Sequence, residues 1–390
     1  MMNNSNFSQE EQGEYLKNLY AHKDELNYSW EDIARKMNEK YNTNYTESKY
    51  RRQCKREFSN ISLEEETNQN EQEFDLGLQL RSEIQRCKDE RTQLNALYRQ
   101  VSRENYLKDI AVECAKIVAE KKPFSNNVVF PLKNTKEAIL LLSDWHYGIE
   151  INNHWNEYNP EICVKRLSKL AGEVGNFIDE YGIEKINILN LGDLISGRIH
   201  SQIRIDNKED VVSQVIHVSE LLSNFIDKLT VEYGVYIDYY DCLDNHSRIE
   251  PDKKESLRLE SLARIITWYL QERFSGRNTV TIKFNKYSDD ILSFNCRGWN
   301  VVGVHGDLDA QNRVIKNLRG MIDEKPDLVC TAHRHHFSAD EENNCMMISN
   351  PSLMGTDSYA ESKRLTSSPA QTLIIVTDDT PVYAIHRIVL

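Results

Sequence analysis

Five apolar runs in this chain end in the same way. Ala138 to Leu142 stops at Ser143-Asp144-Trp145-His146, and Leu189-Asn190-Leu191 stops at Gly192-Asp193. Ile237 to Leu243 stops at Asp244-Asn245-His246, and Val301 to Val304 stops at His305-Gly306-Asp307. Leu328-Val329-Cys330 runs through Thr331 and Ala332 to His333-Arg334-His335. Short apolar runs bounded by polar turns read as buried strands. Strands that finish in carboxylates, an amide oxygen and imidazoles present the donor set of a divalent transition metal once their ends share one edge. A single histidine at such a place is ordinarily a surface or hydrogen-bonded core ring. Ligand types at all five strand ends make a site of them. The candidate metal ligands are Asp144, His146, Asp193, Asn245, His305, His333 and His335, with His246 directly after Asn245.

The segments between these runs fix the fold class. From Glu137, strand-like and helix-like stretches alternate: helices over about Pro160 to Tyr181, Glu209 to Glu232, Leu257 to Phe274 and Asn312 to Ile322, and further short strands at 280–284, 291–294, 346–349, 372–377 and 382–389. Early strand–helix alternation followed by a strand-rich second half predicts an α/β domain of two sheets flanked by helices rather than one doubly wound sheet. Gly355 to Ala360 reads as a turn between late strands.

The region ahead of this domain is predicted to be all-α. Ser8-x-x-Glu11 and Ser29-x-x-Asp32 have capping-box form, and Trp30, Ile33, Ala34, Met37 and Tyr41 make one apolar face. After a break at Asn42-Thr43-Asn44, a third helix, Glu47 to Phe58, carries Lys49, Arg51, Arg52, Lys55 and Arg56 around Tyr50, Cys54 and Phe58. Helix, break, basic helix is the layout of a helix-turn-helix that enters a DNA groove. It is also the layout of a small bundle with a solvated basic face, or of a protein-docking module. Residues 61–135 then comprise a polar linker, a long amphipathic helix and a connector. Leu76, Leu80, Ile84, Cys87, Leu94, Tyr98 and Val101 step by three or four, with Arg91 interrupting, so this helix packs on the body or pairs with a second copy through residues 74–117. The expected organisation is a helix-turn-helix-like module at 1–60, this connecting region at 61–135, and the strand-rich domain at 136–390.

Composition narrows the classes. The chain has 390 residues and is 39% hydrophobic and 28% charged, which suits globular units with a sizeable core. The formal charge of −13 argues against a general polyanion binder and leaves room for a local basic face. Eight cysteines are scattered without a C-x-x-C pair, and the N-terminus is not signal-like. No apolar stretch approaches the length of a membrane span, roughly 20 residues. Together these predict reduced thiols, no membrane and a cytoplasmic location.

Asp-x-His, Gly-Asp, Asn-His, His and His-x-His, in this order, resemble the calcineurin-like metallophosphoesterase superfamily over about Glu137 to Leu390. The arrangement as a whole is similar to phage-encoded, DNA-repair-exonuclease-like members, which would place the protein in host cytoplasm. The resemblance implies a β-sandwich flanked by helices and two divalent ions, Mn²⁺ foremost, with Fe, Zn, Ni or Mg as substitutes. Asp144, His146, Asp193 and His335 would hold the first. Asp193 would bridge to the second, held with Asn245, His305 and His333, and His246 would be a nearby catalytic histidine outside both shells. Two cations ~3.5–4 Å apart polarise a phosphoryl group and yield a bound hydroxide that attacks phosphorus in line, while a protonated His246 stabilises charge or donates to the leaving oxygen. The sequence departs from the superfamily pattern at Asp244 and Ala332, where glycine is usual.

His200 and Arg248 are candidate substrate contacts; Arg248 could equally pair with Glu250 or Asp252. His336 continues the His-Arg-His run and is expected to point away from its neighbours, and His154, His217 and His386 read as structural. The expected activity is a DNA-directed nuclease or phosphodiesterase. A phosphatase or nucleotide phosphodiesterase acting on small substrates, and a DNA-binding or scaffold protein with a degenerate site, are the alternatives.

Overall fold

The computed structural model describes residues 9–57, 70–126, 135–199 and 201–390. The chain divides into two compact units, residues 1–98 and 99–390. Ser8, Phe58, most of the polar linker, the 127–134 connector and His200 fall outside the described residues.

In the first unit three short helices form a bundle: α1 (Gln9–Ala21), α2 (Trp30–Tyr41) and α3 (Glu47–Glu57). Ser29 caps α2 in both directions, its hydroxyl accepting from the Asp32 amide while Asp32 accepts from the Ser29 amide. Asn42 ends the helix in a left-handed conformation. The Asn38 Oδ1 then gathers the Tyr45 N–H and the hydroxyls of Thr43 and Tyr50, which sets the turn into α3. Ile33, Ala34, Met37 and Tyr41 join Leu16, Leu19, Tyr50 and Cys54 in one core. A fourth helix, α4 (Asn70–Glu120), runs 51 residues, and Lys121-Lys122-Pro123 follows it. Residues 99–120 of this helix belong to the second unit, in whose core Ile110 and Cys114 are buried.

The second unit is strand–helix alternation in chain order. It begins with β1 (Lys136–Leu142), the short pair β2 (Ile151–Asn152) and β3 (Glu157–Tyr158), α5 (Pro160–Tyr181) and β4 (Lys185–Asn190). There follow α6 (Ser201–Asp206), α7 (Val211–Glu232), β5 (Tyr236–Asp241), α8 (Ala263–Phe274), β6 (Val280–Ile282), β7 (Leu292–Cys296) and β8 (Trp299–Gly303). The chain closes with α9 (Val314–Met321), β9 (Leu328–Thr331), β10 (Ser338–Glu342), β11 (Cys345–Ser349), α10 (Ser358–Ser362), β12 (Ala370–Thr377) and β13 (Ala384–Val389). One six-stranded sheet has the order β13-β12-β1-β4-β5-β6 and a five-stranded sheet the order β10-β11-β9-β8-β7.

Side-chain alternation along each strand explains the layering. In β1, Ala138, Leu140 and Leu142 pack with Leu170, Val174, Leu222 and Leu229 of α5 and α7. Ile139 and Leu141 face the other way, into a buried cluster with Val301 of β8, Cys330 of β9 and Ile348 of β11. The far face of the second sheet buries Val302 and Val329 against Val314, Ile315 and Leu318 of α9.

Two expectations about local structure change. The helix expected from Leu257 begins at Ala263: the Leu262 amide donates to the Ser247 carbonyl (2.8 Å) and Arg248 bridges Ser261, which ties the segment ahead of the helix to the 247–249 loop. Gly355 to Ala360 is only partly a turn: Asp357 accepts from the Ala360 amide at 2.7 Å and starts the short α10, as a side-chain oxygen at a helix N-cap does. β2, β3, α6 and β10 are too short or too polar to show a period.

Candidate metal centre

Register brings the ligand-bearing ends together. β1, β4 and β5 are parallel, with Leu142 opposite Asn190 and Asn190 opposite Asp241, so their C-terminal ends lie level. β8 and β9 are parallel in the second sheet, with Gly303 opposite Cys330. Ligands in parallel sheets collect in the crevice beyond the carboxyl ends of the strands, and both sheets here send their loops to one place.

Pairing continues beyond the strands. The Asp144 amide donates to Gly192 O and the His146 amide to Asp193 O, each at 3.0 Å, so the first two ligand loops run side by side. The Ala332 amide donates to His305 O (2.9 Å) and joins the loops after β8 and β9. To turn side chains inward at this spacing, Asp144, His146, Asp193, His333 and His335 all take left-handed backbone angles, with φ between +45° and +67°. Such angles cost a non-glycine residue on the order of 1 kcal/mol or more and cluster at functional sites. Asp244 and Ala332 are not among the described residues with positive φ.

Three sets of ligand atoms lie within 4.8 Å of one another: Asp144, His146 and His335; His146, Asp193 and His246; and Asp193, His305 and His333. His146 Nε2 stands 3.2 Å from His335 Nε2, and His335 Nε2 is 3.3 Å from Asp144 Oδ1. Asp193 Oδ2 is central, 3.1 Å from His305 Nε2 and 3.9 Å from both His146 Nε2 and His246 Nε2. Asn245 joins through its Oδ1, 2.8 Å from His305 Nε2.

Bonds behind the rings fix their tautomers, because a carbonyl only accepts. His305 Nδ1 donates to Leu191 O and His246 Nδ1 to Ser196 O, both at 2.7 Å. Each ring therefore turns Nε2 to the centre, as metal-ligating histidines do when the other ring nitrogen is held from behind. The donor set fits divalent cations. Asp144 Oδ1, Asp193 Oδ2 and His333 Nδ1 are buried and make no hydrogen bond, a costly state unless another electrophile meets them.

Charge in the cluster is shared among protons. Burial pushes Asp193 up, but His246 and His305 outweigh it and hold the carboxyl well below its usual range. Asp144 is likewise raised by burial and brought below its ordinary value by His335. Burial lowers His305, yet Asp193 drives it up to about 10; burial also lowers His335, and Asp144 raises it overall. His146 is pushed well down by burial and by His246, and His333 down by burial and His305. A cation entering this set must displace the His305 proton. Binding of a divalent cation at pH 7 is therefore expected to release about one proton or more per chain and to tighten as pH rises. Titration calorimetry in buffers of different ionisation heat measures this; a binding heat independent of buffer refutes it.

Several participants lie outside the ligand motifs. Asp244 accepts from the Asp193 amide (2.9 Å) and from the Ser247 amide (2.6 Å), bracing the central ligand from behind. Burial and the neighbouring Asp193 raise its carboxyl to about 6. Ser143 donates to Asp144 Oδ2 at 2.7 Å, and is held by Asn350 Nδ2 at 2.8 Å and by Gln371 Oε1, which takes its amide at 2.9 Å. Asn350 and Gln371 are more than 200 positions away, and no local pattern marks them. Gly197 has its Cα against the His246 carbonyl, which a Cβ would meet at 2.1 Å.

Other predicted residues are placed as follows. Arg248 donates to the backbone carbonyls of Glu250 (3.2 Å) and Pro251 (2.9 Å), closing its own loop. His336 and His154 are exposed, His217 meets Glu209 at 2.8 Å, and His386 stacks on Phe177. Lys49, Arg51, Arg52, Lys55 and Arg56 lie on α3 and are all exposed, with Lys49 over the Tyr45 ring. Seven cysteines are buried, and Cys87 is exposed. No helix among the described residues is long and apolar enough to cross a membrane.

No protein-family model matches the chain. It is 22% identical over 371 residues to the SPbeta prophage-derived protein YonJ of Bacillus subtilis strain 168, covering 91% of this chain and 90% of that one. Among solved structures it is similar to an archaeal phosphodiesterase, at 13% identity and a TM-score of 0.34 over 65% of this chain and 99% of the other. It is also similar to zinc-complexed Vps29 of Entamoeba histolytica, at 10% identity and a TM-score of 0.31 over 65% and 98%, and to a predicted phosphoesterase of Streptococcus pneumoniae TIGR4, at 12% identity and 0.27 over 66% and 100%.

Proposed function

We propose that this chain is a metal-dependent phosphoesterase of calcineurin-like, two-sheet architecture that cleaves phosphodiester bonds, with DNA as its substrate. The observation that carries the reading is Asp193: one buried carboxylate shared between His-containing ligand sets, its Oδ2 without a hydrogen bond. Asp144, His146, Asp193 and His335 would hold one divalent ion, and Asp193, Asn245, His305 and His333 a second. When bound, such ions supply Lewis acidity toward a phosphoryl oxygen and an activated water. The chain supplies the rest. Asp244 and Ser143 hold the two carboxylates in orientation. His246, with Nδ1 committed to Ser196 O, aims Nε2 at the reacting group and passes a proton to the leaving oxygen. No nucleophilic side chain is required.

DNA is favoured by the basic face of α3, where Lys49, Arg51, Arg52, Lys55 and Arg56 would contact phosphates. Resemblance to a prophage protein along nearly the whole chain supports a phage-encoded enzyme working in host cytoplasm.

The test is a panel of single-stranded DNA, duplex DNA, a nitrophenyl phosphodiester and nucleotides with Mn²⁺, comparing the wild type with Arg51→Ala/Arg52→Ala/Lys55→Ala. DNA cleavage is expected to drop about tenfold or more in the variant and to fall steeply with salt, while the small diester is cleaved equally by both. Activity confined to small esters removes the DNA assignment, and no hydrolysis with any divalent metal removes the phosphoesterase assignment.

A further inference from the structure

Every described side chain of α4 from Leu80 to Ser102 is exposed. Six of the apolar residues in this stretch, Leu80, Ile84, Cys87, Leu94, Tyr98 and Val101, fall at alternating intervals of four and three once Arg91 is counted between Cys87 and Leu94, with Leu97 beside that line. The five large ones are each 47–65% exposed. A helical stretch exposed on every side draws little stability from propensity alone. Its apolar residues keep a period of about 3.5 residues for three heptads, which is the seam of a left-handed coiled coil rather than the broader face that packs on a globular body. Farther along α4 the pattern changes, and Ile110 and Cys114 are buried in the second unit. One helix thus carries two differently used faces.

We propose that residues 80–101 form a parallel, in-register two-stranded coiled coil with a second copy of this chain. The charges select both the partner and the direction. With Leu80, Cys87, Leu94 and Val101 at d and Ile84, Arg91 and Tyr98 at a, the g positions hold Glu83, Glu90 and Leu97 and the e positions hold Arg81, Lys88 and Asn95. In a parallel pair g meets e of the partner five residues on, so Glu83 faces the other copy's Lys88 on both sides of the seam. An antiparallel pair opposes g to g and e to e, setting glutamate against glutamate and base against base. Arg91 at a single a position costs stability and marks the register, as polar a-position residues do. In that register the two Cys87 thiols, the exposed cysteines of each copy, lie across the seam from each other.

Sedimentation equilibrium of the full chain in reductant is expected to give twice the 45.5 kDa chain mass, and Ile84→Lys/Leu94→Lys to give the chain mass with metal binding retained. Mild oxidation should cross-link the wild type to a covalent dimer on a non-reducing gel, and Cys87→Ser should remain a dimer without the cross-link. Glu83→Lys should weaken the dimer about tenfold, and Glu83→Lys/Lys88→Glu should recover it, since two exposed pairs are exchanged per dimer. A monomeric wild type overturns the proposal. So does a dimer that resists Cys87 cross-linking and is indifferent to Glu83→Lys, which is the antiparallel outcome.

Discussion

Asp193→Asn is expected to lower kcat/KM on a nitrophenyl phosphodiester by about a thousandfold or more, roughly 4 kcal/mol of transition-state stabilisation, while the chain still folds. Asparagine keeps the shape and can still accept the His246 amide, which Asp193 Oδ1 takes at 3.1 Å. What it loses is the charge on Oδ2, the atom 3.1 Å from His305 and 3.9 Å from His146 and His246. An amide there offers a donor to nitrogens that would themselves face a cation, and any divalent ion held beside it would lose the carboxylate's counter-charge. A second readout is independent of turnover. Asp193 is the principal reason His305 is raised to about 10, so in the variant the His305 ring should titrate nearer the ordinary histidine range by NMR. Near-wild-type hydrolysis by Asp193→Asn would refute the assignment of this carboxylate as the link between the ligand sets.

Gly192→Ala is expected to be strongly damaging, with a loss of about 3 kcal/mol or more and a Tm lower by several degrees. Gly192 has φ +93°, and a Cβ there would lie 2.5 Å from the Asp244 Cβ and 3.1 Å from His305 Nδ1. Neither neighbour is the free end of a flexible side chain. Asp244 braces the Asp193 amide, and His305 is tied to Leu191 O, so relief of the clash displaces the site itself. Gly172→Ala in α5 is the control. Nothing lies within 4 Å of its Cβ position, and alanine should stabilise the helix by about 0.5–1 kcal/mol. Urea unfolding of both variants decides; a Gly192→Ala protein as stable as the wild type would mean that the loop has slack the packing does not show.

The candidate ligands were readable as strand-end residues because each is announced locally. A buried strand of a few apolar residues has to end in a turn, and Asp144, His146, Asp193, Asn245, His305, His333 and His335 sit directly at those turns. Helix α2 was equally legible, since Ser29, Asp32 and the Ile33–Tyr41 face are all local signals. The start of α8 was not: residues 257–262 have helical composition, but contacts with 247–249 tie Glu260, Ser261 and Leu262 to an earlier loop. Arg248 shows the same limit. Next to Asn-His it has the chemistry of a phosphate clamp, and in the fold its guanidinium is bonded to the Glu250 and Pro251 carbonyls.

The sequence by itself determined which residues could bind metal and that they stand at strand ends, because burial of a strand and polarity of its turn are written in adjacent residues. Tertiary structure alone decided that they meet. Parallel register levels the ends of β1, β4 and β5, a second sheet brings His305, His333 and His335 to the same crevice, and left-handed angles at five of the ligands turn the side chains inward. It also decided what stands behind them. Asp244, Asn350 and Gln371 acquire their roles only through contacts with Asp193 and Ser143, across separations of 51, 207 and 228 positions, and contacts of that range leave no period or motif along a single chain.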